Sequence, residues 1–489
     1  MKSINYRKIK EIDIDTFRKD LRASKLCNEY KNMDLDSLVD LYNKDLGALL
    51  DKHAPTITKT IRQSARGSWY DNTIHTARKR ARIAERRHRK CESAETYKEF
   101  RHFEGQYLHA LRSAKTRYYK DLIASNAYNQ RQLFRTLNKA MHREKKNPLP
   151  DCCDSKQLAN DFNNYFHEKV EKIRVSFPEN SELAFQYDND IDLNARAEGA
   201  LHSLRPLESL DVEKLIMKSA SKQCELDPLP TALVKNCVAE LSPVITRIVN
   251  LSLEQSCFPD IYKSAVVKPL LKKPGLDPIF KNYRPVSNLS FVSKIIEEAA
   301  SIQIQEHIKT NGYYEKLQSA YRSKHSTETA LIKVLDDILT SLDDDNVVFL
   351  SLLDLSAAFD TVDHALLIER FRRTFGITGS ALEWIRSYLT GRSTTVLIDG
   401  KYSDRKILTC SVPQGSKLGP RMYSDYTYPL GKLIKLLLIL YHLYADDTQL
   451  QKSFNPRKAG AEGQARDVIE HSFTRISDWM FNKKLRLNP

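Results

Sequence analysis

Apolar positions recur with two different rhythms along this chain. Before about residue 200 they return every three or four residues. Leu158, Phe162, Tyr165, Phe166, Val170 and Ile173, for example, share one face, which predicts an amphipathic helix. Residues 1–60 read as helical with a turn near Pro55, and residues 178–194 read as a polar linker. After about Pro206 short apolar runs alternate with helical patterns and with the turn signals Asp227-Pro228, Pro274-Gly275 and Pro413-Gln414-Gly415. That texture predicts an α+β fold. Residues 347–353 (VVFLSLL) form a continuous apolar run, expected to be a buried strand ending at Asp354. A helix is expected from near Asp363, with Leu366, Leu367, Ile368 and Phe371 inside and Gly376 as its stop. A second apolar run, 436–443, ends in Tyr444-Ala445-Asp446-Asp447, and residues 448–454 read as its returning partner strand. The last predicted helix carries Val468, Ile469, Phe473, Ile476, Trp479 and Met480.

Composition narrows the class. The chain has 489 residues, 41% hydrophobic and 28% charged, so it has the balance of a globular protein. No apolar run reaches the roughly 18 to 20 residues of a membrane span. The greasiest stretch, 433–444, is broken by Lys435 and His442, and the N-terminus has no apolar signal region. Eight scattered cysteines with no Cys-x-x-Cys pair argue against a zinc module or a disulfide framework and fit a reducing compartment. The expectation is an intracellular protein, in nucleus or cytoplasm, without a membrane partner.

The charge is uneven. Residues 78–146 hold 20 Lys and Arg against 7 Asp and Glu, a net +13 of the whole chain's +15. Tyr97, Phe100, Phe103, Tyr107, Leu111, Tyr118, Tyr119, Leu122, Phe134 and Leu137 are spaced for long amphipathic helices. Such a run is either a solvated helical face or an electrostatic footprint for phosphate backbones.

An acid at the end of a buried strand is costly unless it is paired or holds a metal. Asp446-Asp447 alone is ordinary turn chemistry. Together with Asp354 it makes two strand-end carboxylate sites that, facing one another, suit two divalent cations such as Mg²⁺ in phosphoryl transfer. No Cys/His cluster, Walker loop or nucleophile elbow competes with this reading.

Eight ordered segments then carry a resemblance. They are CELDPLPTALVKNC (224–237), CFPDIYKSAVVKPLLKKPGLDP (257–278), NYRPVSNLSFVSK (282–294), QSAYRSKHSTETAL (318–331), LLDLSAAFDTVDH (352–364), WIRSYLTGR (384–392), SVPQGSKLGP (411–420) and LYADDTQL (443–450). The series resembles reverse transcriptases of non-long-terminal-repeat retrotransposons, of the jockey-like and chicken-repeat-like branch. The strong likeness covers about 206–487. It implies a right-hand polymerase of fingers and palm at 206–489. A basic, mostly helical connector precedes it: helical at 1–60, basic and nucleic-acid-contacting at 61–150, a helix and linker at 151–205.

Carried onto this chain, the likeness makes Asp354, Asp446 and Asp447 the catalytic residues and the ligands of two Mg²⁺. Phe359 matches the bulky residue that excludes a 2′-hydroxyl, with ordinary core packing as the plain alternative. Gln414 and Gly415 match the loop lining nucleotide and template. Arg284 matches the arginine that holds the incoming triphosphate, assisted by Lys272 or equally by Lys273. Tyr444 borders the primer end. The implied partners are an RNA template, a DNA primer and deoxynucleoside triphosphates.

The chain departs from that family in places. It opens in connector-like sequence with no endonuclease before it, and it stops before a thumb and before a lysine implicated in protonating pyrophosphate. Lys417, Arg421 and Asp425 form a charged helical stripe where the family is apolar, and Ser411 replaces a usual Gly. The first reading is therefore an RNA-directed DNA polymerase, expected to polymerise poorly as it stands. The second is a catalytically silent nucleic-acid-binding remnant of such an element.

Overall fold

The computed structural model describes residues 2–61, 69–126, 129–141, 148–177, 199–221 and 224–488, so the stretch read as a linker at 178–194 lies outside the described residues. The chain mixes helices and strands, an α+β fold, in two compact units: residues 1–7 with 56–148, and residues 8–55 with 149–489. No helix among the described residues is long and apolar enough to cross a membrane.

The N-terminal half runs β1 (Lys2–Tyr6), α1 (Ile14–Ala23), α2 (Lys25–Glu29), α3 (Leu35–His53), β2 (Ile57–Ile61), α4 (Asn72–Lys90), α5 (Ala94–Ser125), α6 (Gln130–Ala140), α7 (Ser155–Val175), α8 (Ser209–Lys218), α9 (Thr231–Asn236) and α10 (Val238–Glu254). The region expected to be helical throughout therefore begins with a strand. β1 pairs antiparallel with β2, from Lys2↔Ile61 to Tyr6↔Ile57, so two segments 50 residues apart in sequence make a ribbon that no local period announces. In the same unit α4 and α5 form a helical hairpin. The Asp71 side chain caps α4 through the Ile74 N–H, and Ser93 caps α5 through the Thr96 N–H. His88 stacks on Phe100 at 6.5 Å across the hairpin, and Arg87 reaches Glu99 at 3.2 Å. α4 buries Ile74, Ala81 and Ala84, whereas α5 buries no side chain fully.

The rest runs β3 (Ser264–Leu271), β4 (Tyr283–Asn288), α11 (Phe291–Thr310), α12 (Thr327–Asp343), β5 (Val347–Leu353), α13 (His364–Arg373), α14 (Gly379–Leu389), β6 (Ser393–Ile398), β7 (Lys401–Tyr402), β8 (Lys406–Ile407), α15 (Gly419–Tyr426), α16 (Tyr428–Leu436), β9 (Leu440–Tyr444), β10 (Asp447–Phe454) and α17 (Ala461–Asn482). Two sheets organise it. One has the order β4-β3-β6-β7, with β8 also on β6; the other is the three-stranded β5-β10-β9. The core between helices and sheets is dense with aromatics. Trp384 stacks on Tyr388 at 5.7 Å, and Phe258 meets both edge-on. α7 covers the larger sheet with Leu158, Ala159 and Phe162 against Val267, Tyr283, Val396 and Ile398.

Two expectations need correction. β5 was expected to be buried, but it is the edge strand of its sheet. Phe349 and Leu353 pack on the core while Leu350 and Leu352 stay exposed, Leu352 at 70%. A run apolar on both faces reads as doubly buried, but here only one face is covered. The second apolar run also divides. Its first residue, Leu436, closes α16, and the strand begins only at Leu440. The helix after Asp363 and the last helix follow their predicted faces: Leu366, Leu367, Ile368 and Phe371 are buried, as are Ile469, Ile476, Trp479 and Met480.

Candidate active site

β10 lies between β5 and β9. Its register places Thr448 opposite Leu353 and Asp447 opposite Tyr444. Antiparallel pairing thus brings Asp447, at the head of β10, beside Asp354, the residue that follows β5. Asp446 occupies the tip of the β9–β10 turn. The strand expected to face Asp354 was the one ending at Asp446; the neighbour is instead β10, because the returning strand inserts between the other two. The tip is tight: Ala445 sits at φ +57°, and Gln318 clasps it. The Gln318 Oε1 accepts the Ala445 N–H at 2.9 Å, and its Nε2 donates to the Ala445 carbonyl at 3.2 Å.

The three carboxylates sense one another. Burial raises the Asp446 pKa first, then the charges of Asp447 and Asp354, with Arg284 opposing. Burial and Asp354 raise that of Asp447. Asp354 itself is held by donors. The Leu355 N–H donates to its Oδ1 and the Asn488 Nδ2 to its Oδ2, both at 2.9 Å. The Asn488 N–H also donates to the Asp354 carbonyl at 2.8 Å, and Ser356 Oγ donates to Asn488 Oδ1 at 2.8 Å. Among the described residues no three His, Cys, Asp or Glu side chains gather into a ready metal cluster.

The basic side comes from the β3–β4 hairpin. Leu270 pairs with Arg284, and the Lys272 N–H extends the ladder to the Asn282 carbonyl at 2.8 Å. Two residues apart along the strand direction, Lys272 returns to the face that Arg284 shares with Leu270. Burial lowers the Lys272 pKa, as do Lys169 and Arg284, while Asp354 raises it. Lys272 is thus coupled to both Arg284 and Asp354.

Phe359 lies in an aromatic floor, stacked on Tyr423 at 4.7 Å and edge-on to Tyr321 at 6.5 Å. Burial, then Asp446 and Tyr444, push the Tyr321 hydroxyl up to about 12. This floor therefore adjoins the carboxylates and Tyr444.

The Pro413-Gln414-Gly415 loop docks on β4, with the Ser287 N–H donating to the Gln414 carbonyl at 3.1 Å. Gly415 has φ +112°, and a Cβ there would lie 2.3 Å from the Ser287 carbonyl oxygen, so only glycine fits. Beyond the loop the buried Glu297 accepts the Lys417 N–H at 2.6 Å and anchors the start of α15. The charged stripe is absorbed in three ways. Lys417 is exposed, Arg421 donates to Ser301 Oγ, and Asp425 is buried with its pKa pushed up to about 8 by burial, against the pull of Arg421. Asp425 is thus largely uncharged at neutral pH, which removes most of the expected cost of a charge in the core.

Gln318, Asn488 and Glu297 were not among the expected site residues. Gln318 and Glu297 hold backbone groups of a distant segment and Asn488 holds the Asp354 carboxylate, and no spacing rule reports such contacts.

Residues 271–489 match the family described as "Reverse transcriptase (RNA-dependent DNA polymerase)". That stretch is therefore similar to a reverse-transcriptase domain. It is 25% identical over 407 residues to the "Probable RNA-directed DNA polymerase from transposon BS" of Drosophila melanogaster, covering 78% of this chain and 43% of that protein. It is 26% identical to the corresponding protein of transposon X-element (58% and 31%) and to the "RNA-directed DNA polymerase from mobile element jockey" (57% and 30%), both of Drosophila melanogaster. The chain spans less than half the length of these relatives. Within the reverse transcriptases, the likeness is to the jockey-like, non-long-terminal-repeat kind.

Proposed function

We propose that the chain is the fingers-and-palm part of an RNA-directed DNA polymerase of retrotransposon origin, at 206–489, with 1–60, 61–150 and 151–205 as its connector. Asp354, Asp446 and Asp447 are the catalytic carboxylates. The observation that carries the reading is the register that sets Asp447 beside Asp354 at the ends of neighbouring strands, with Asp446 in the adjoining turn and Arg284 and Lys272 electrostatically coupled to the acids.

Reverse transcriptases as a family use divalent metal ions. The donor set here fits hard cations, since it is all carboxylate oxygen and the charge of Asp354 raises the proton affinity of both Asp446 and Asp447. We assign two Mg²⁺ to Asp354, Asp446 and Asp447, where the ions supply charge neutralisation for in-line phosphoryl transfer. The protein's own part is positioning. Arg284 presents a planar fork to the triphosphate and Lys272 a point charge. The Phe359 floor lies under the sugar and favours a deoxynucleotide. Gln414 and Gly415 line the nucleotide and template, and Tyr444 borders the primer. The primer 3′-hydroxyl then attacks the α-phosphate and pyrophosphate leaves.

The test is primer extension on an RNA template, with and without Mg²⁺. It compares this chain, the chain extended with the C-terminal sequence of a relative, and the extended chain with Asp446→Ala. Extension is expected from the second protein and lost in the third. No Mg²⁺-dependent synthesis from the extended chain, or synthesis indifferent to Asp446→Ala, overturns the assignment. The alternative, a silent nucleic-acid-binding remnant acting inside the cell, is favoured by one feature, the net charge of +13 over residues 78–146.

A further inference from the structure

α7 and the larger sheet line a cavity of about 160 Å³, and of its lining the polymerase reading uses only Gln414. At ~10–15 Å³ per water in this measure, it has room for on the order of ten waters. Three buried polar atoms on its lining residues lack a hydrogen-bond partner: His167 Nε2, Arg174 Nη1 and Arg392 Nη2. Buried polar atoms are normally satisfied, and two guanidinium N–H groups and an imidazole nitrogen around one cavity call for a common polar partner. The two guanidiniums are fixed from behind. Arg392 is 2% exposed, lies over the Tyr388 ring at 4.5 Å and donates from Nη1 to the Tyr388 carbonyl at 2.8 Å. Arg174 donates from Nη2 to Asp363 at 2.9 Å, which leaves Nη1 unused. The lining also includes the apolar and aromatic Phe166, Val267 and Tyr283, and the acid Asp360.

This combination selects a flat ring that bears an anion. Paired guanidiniums suit phosphate oxygens, aromatic walls suit bases, and a carboxylate accepts from a base-edge amino group. The cavity also shares Ser287 and Gln414 with the loop described above. We propose that it is a nucleotide-binding site separate from the carboxylate site. It takes one nucleotide, with its phosphate toward Arg174, Arg392 and His167 and its base on the Phe166–Tyr283 wall. The nucleotide comes either from an unpaired stretch of a bound RNA strand or from free mononucleotide. Only the first source leans on the polymerase reading.

The experiment is calorimetric titration of the full chain in about 0.2 M salt, where non-specific phosphate contacts weaken. The probes are AMP, inorganic phosphate and a short oligoadenylate. AMP is expected to bind, with phosphate alone about tenfold weaker or more. The double variant His167→Ala, Arg174→Lys is expected to weaken AMP by about tenfold or more with its circular dichroism unchanged. Val170→Trp, which fills the cavity from α7, is expected to do the same and serves if the double variant misfolds. An equal loss for the oligonucleotide identifies the strand as the source, and a loss confined to AMP identifies the free nucleotide. AMP binding untouched by both cavity variants, matched by phosphate alone, or abolished by Asp446→Ala overturns the proposal. None of these readouts needs polymerisation, so failure of the polymerase reading is separately visible.

Discussion

The α4–α5 hairpin and the unit built around β5, β10 and β9 both concentrate charge, and they hold it in opposite ways. On the hairpin, Arg87–Glu99, Arg89–Glu85 and Arg101–Glu104 are pairs between exposed side chains, and α5 buries nothing fully. Such pairs add little to stability and are screened by salt. In the other unit the charges sit inside. Asp363 caps α13 and takes Arg174 from α7 at 2.9 Å and Lys484 from beyond α17 at 2.8 Å, so one carboxylate ties three segments. Asp425 and Glu297 are buried without a full countercharge, and burial raises the pKa of each. The lesson is that charge density predicts neither stability nor role. Solvent access decides whether a charge works at long range on a polyanion or at short range on the fold.

The sharpest way to break the comparison is Asp363→Ala. It strips two cations of their partner and α13 of its cap, and a loss of about 3–5 kcal/mol is expected by urea unfolding. The pH dependence has a definite sign. The folded pKa is depressed to about 2 by Lys484, the Leu366 N–H and Arg174 working against burial. Its stabilisation is therefore present above the ordinary carboxylate range and is lost as pH falls from about 4 through 2. A variant as stable as the parent at pH 7 would mean that the buried network is only decoration.

Asp425→Asn should act in the other direction. The folded pKa of about 8 lies above the unfolded one. Its contribution is therefore most favourable below about pH 4 and is lost as pH rises toward 8. The amide variant is expected to gain on the order of 2 kcal/mol at pH 8 and nothing at pH 4, read as denaturation midpoints at the two pH values. An equal shift at both would place the effect in packing rather than in charge.

The smallest effect on stability is expected on the hairpin. Changing Arg82, Arg86, Lys90 and Lys98 to Gln should leave the melting temperature nearly unchanged. RNA affinity should still fall, and the slope of log K against log salt should flatten by roughly 0.7–0.9 for each phosphate no longer neutralised. An unchanged slope would show that the run is a solvated face and not a nucleic-acid surface.

Much of this contrast was legible before any coordinates. The helical character of the basic segment and the faces of α7, α13 and α17 follow from apolar spacing, because a helix repeats every 3.6 residues and buries one side. Asp354, Asp446 and Asp447 stood out as acids at the ends of apolar runs, and Gly415 as part of a turn signal. Pairing was not legible. That β10 would insert between β5 and β9, that β1 would find β2, and that α7 would cover a sheet more than 100 residues away depend on contacts distant in sequence.

The sequence by itself determined the local periods, the concentration of basic charge and the identity of the groups able to do chemistry. Only the tertiary structure decided which of those groups meet. It alone set Asn488 against Asp354, Gln318 on the turn tip, Glu297 under α15, and the orphaned nitrogens of His167, Arg174 and Arg392 around one cavity. It also decided that Asp425 is largely neutral while Asp363 is charged, two identical side chains whose pKa values are shifted in opposite directions. The physical reason is that a side chain's energy is set by its surroundings in space, through desolvation and nearby charges, and those surroundings come from every part of the chain.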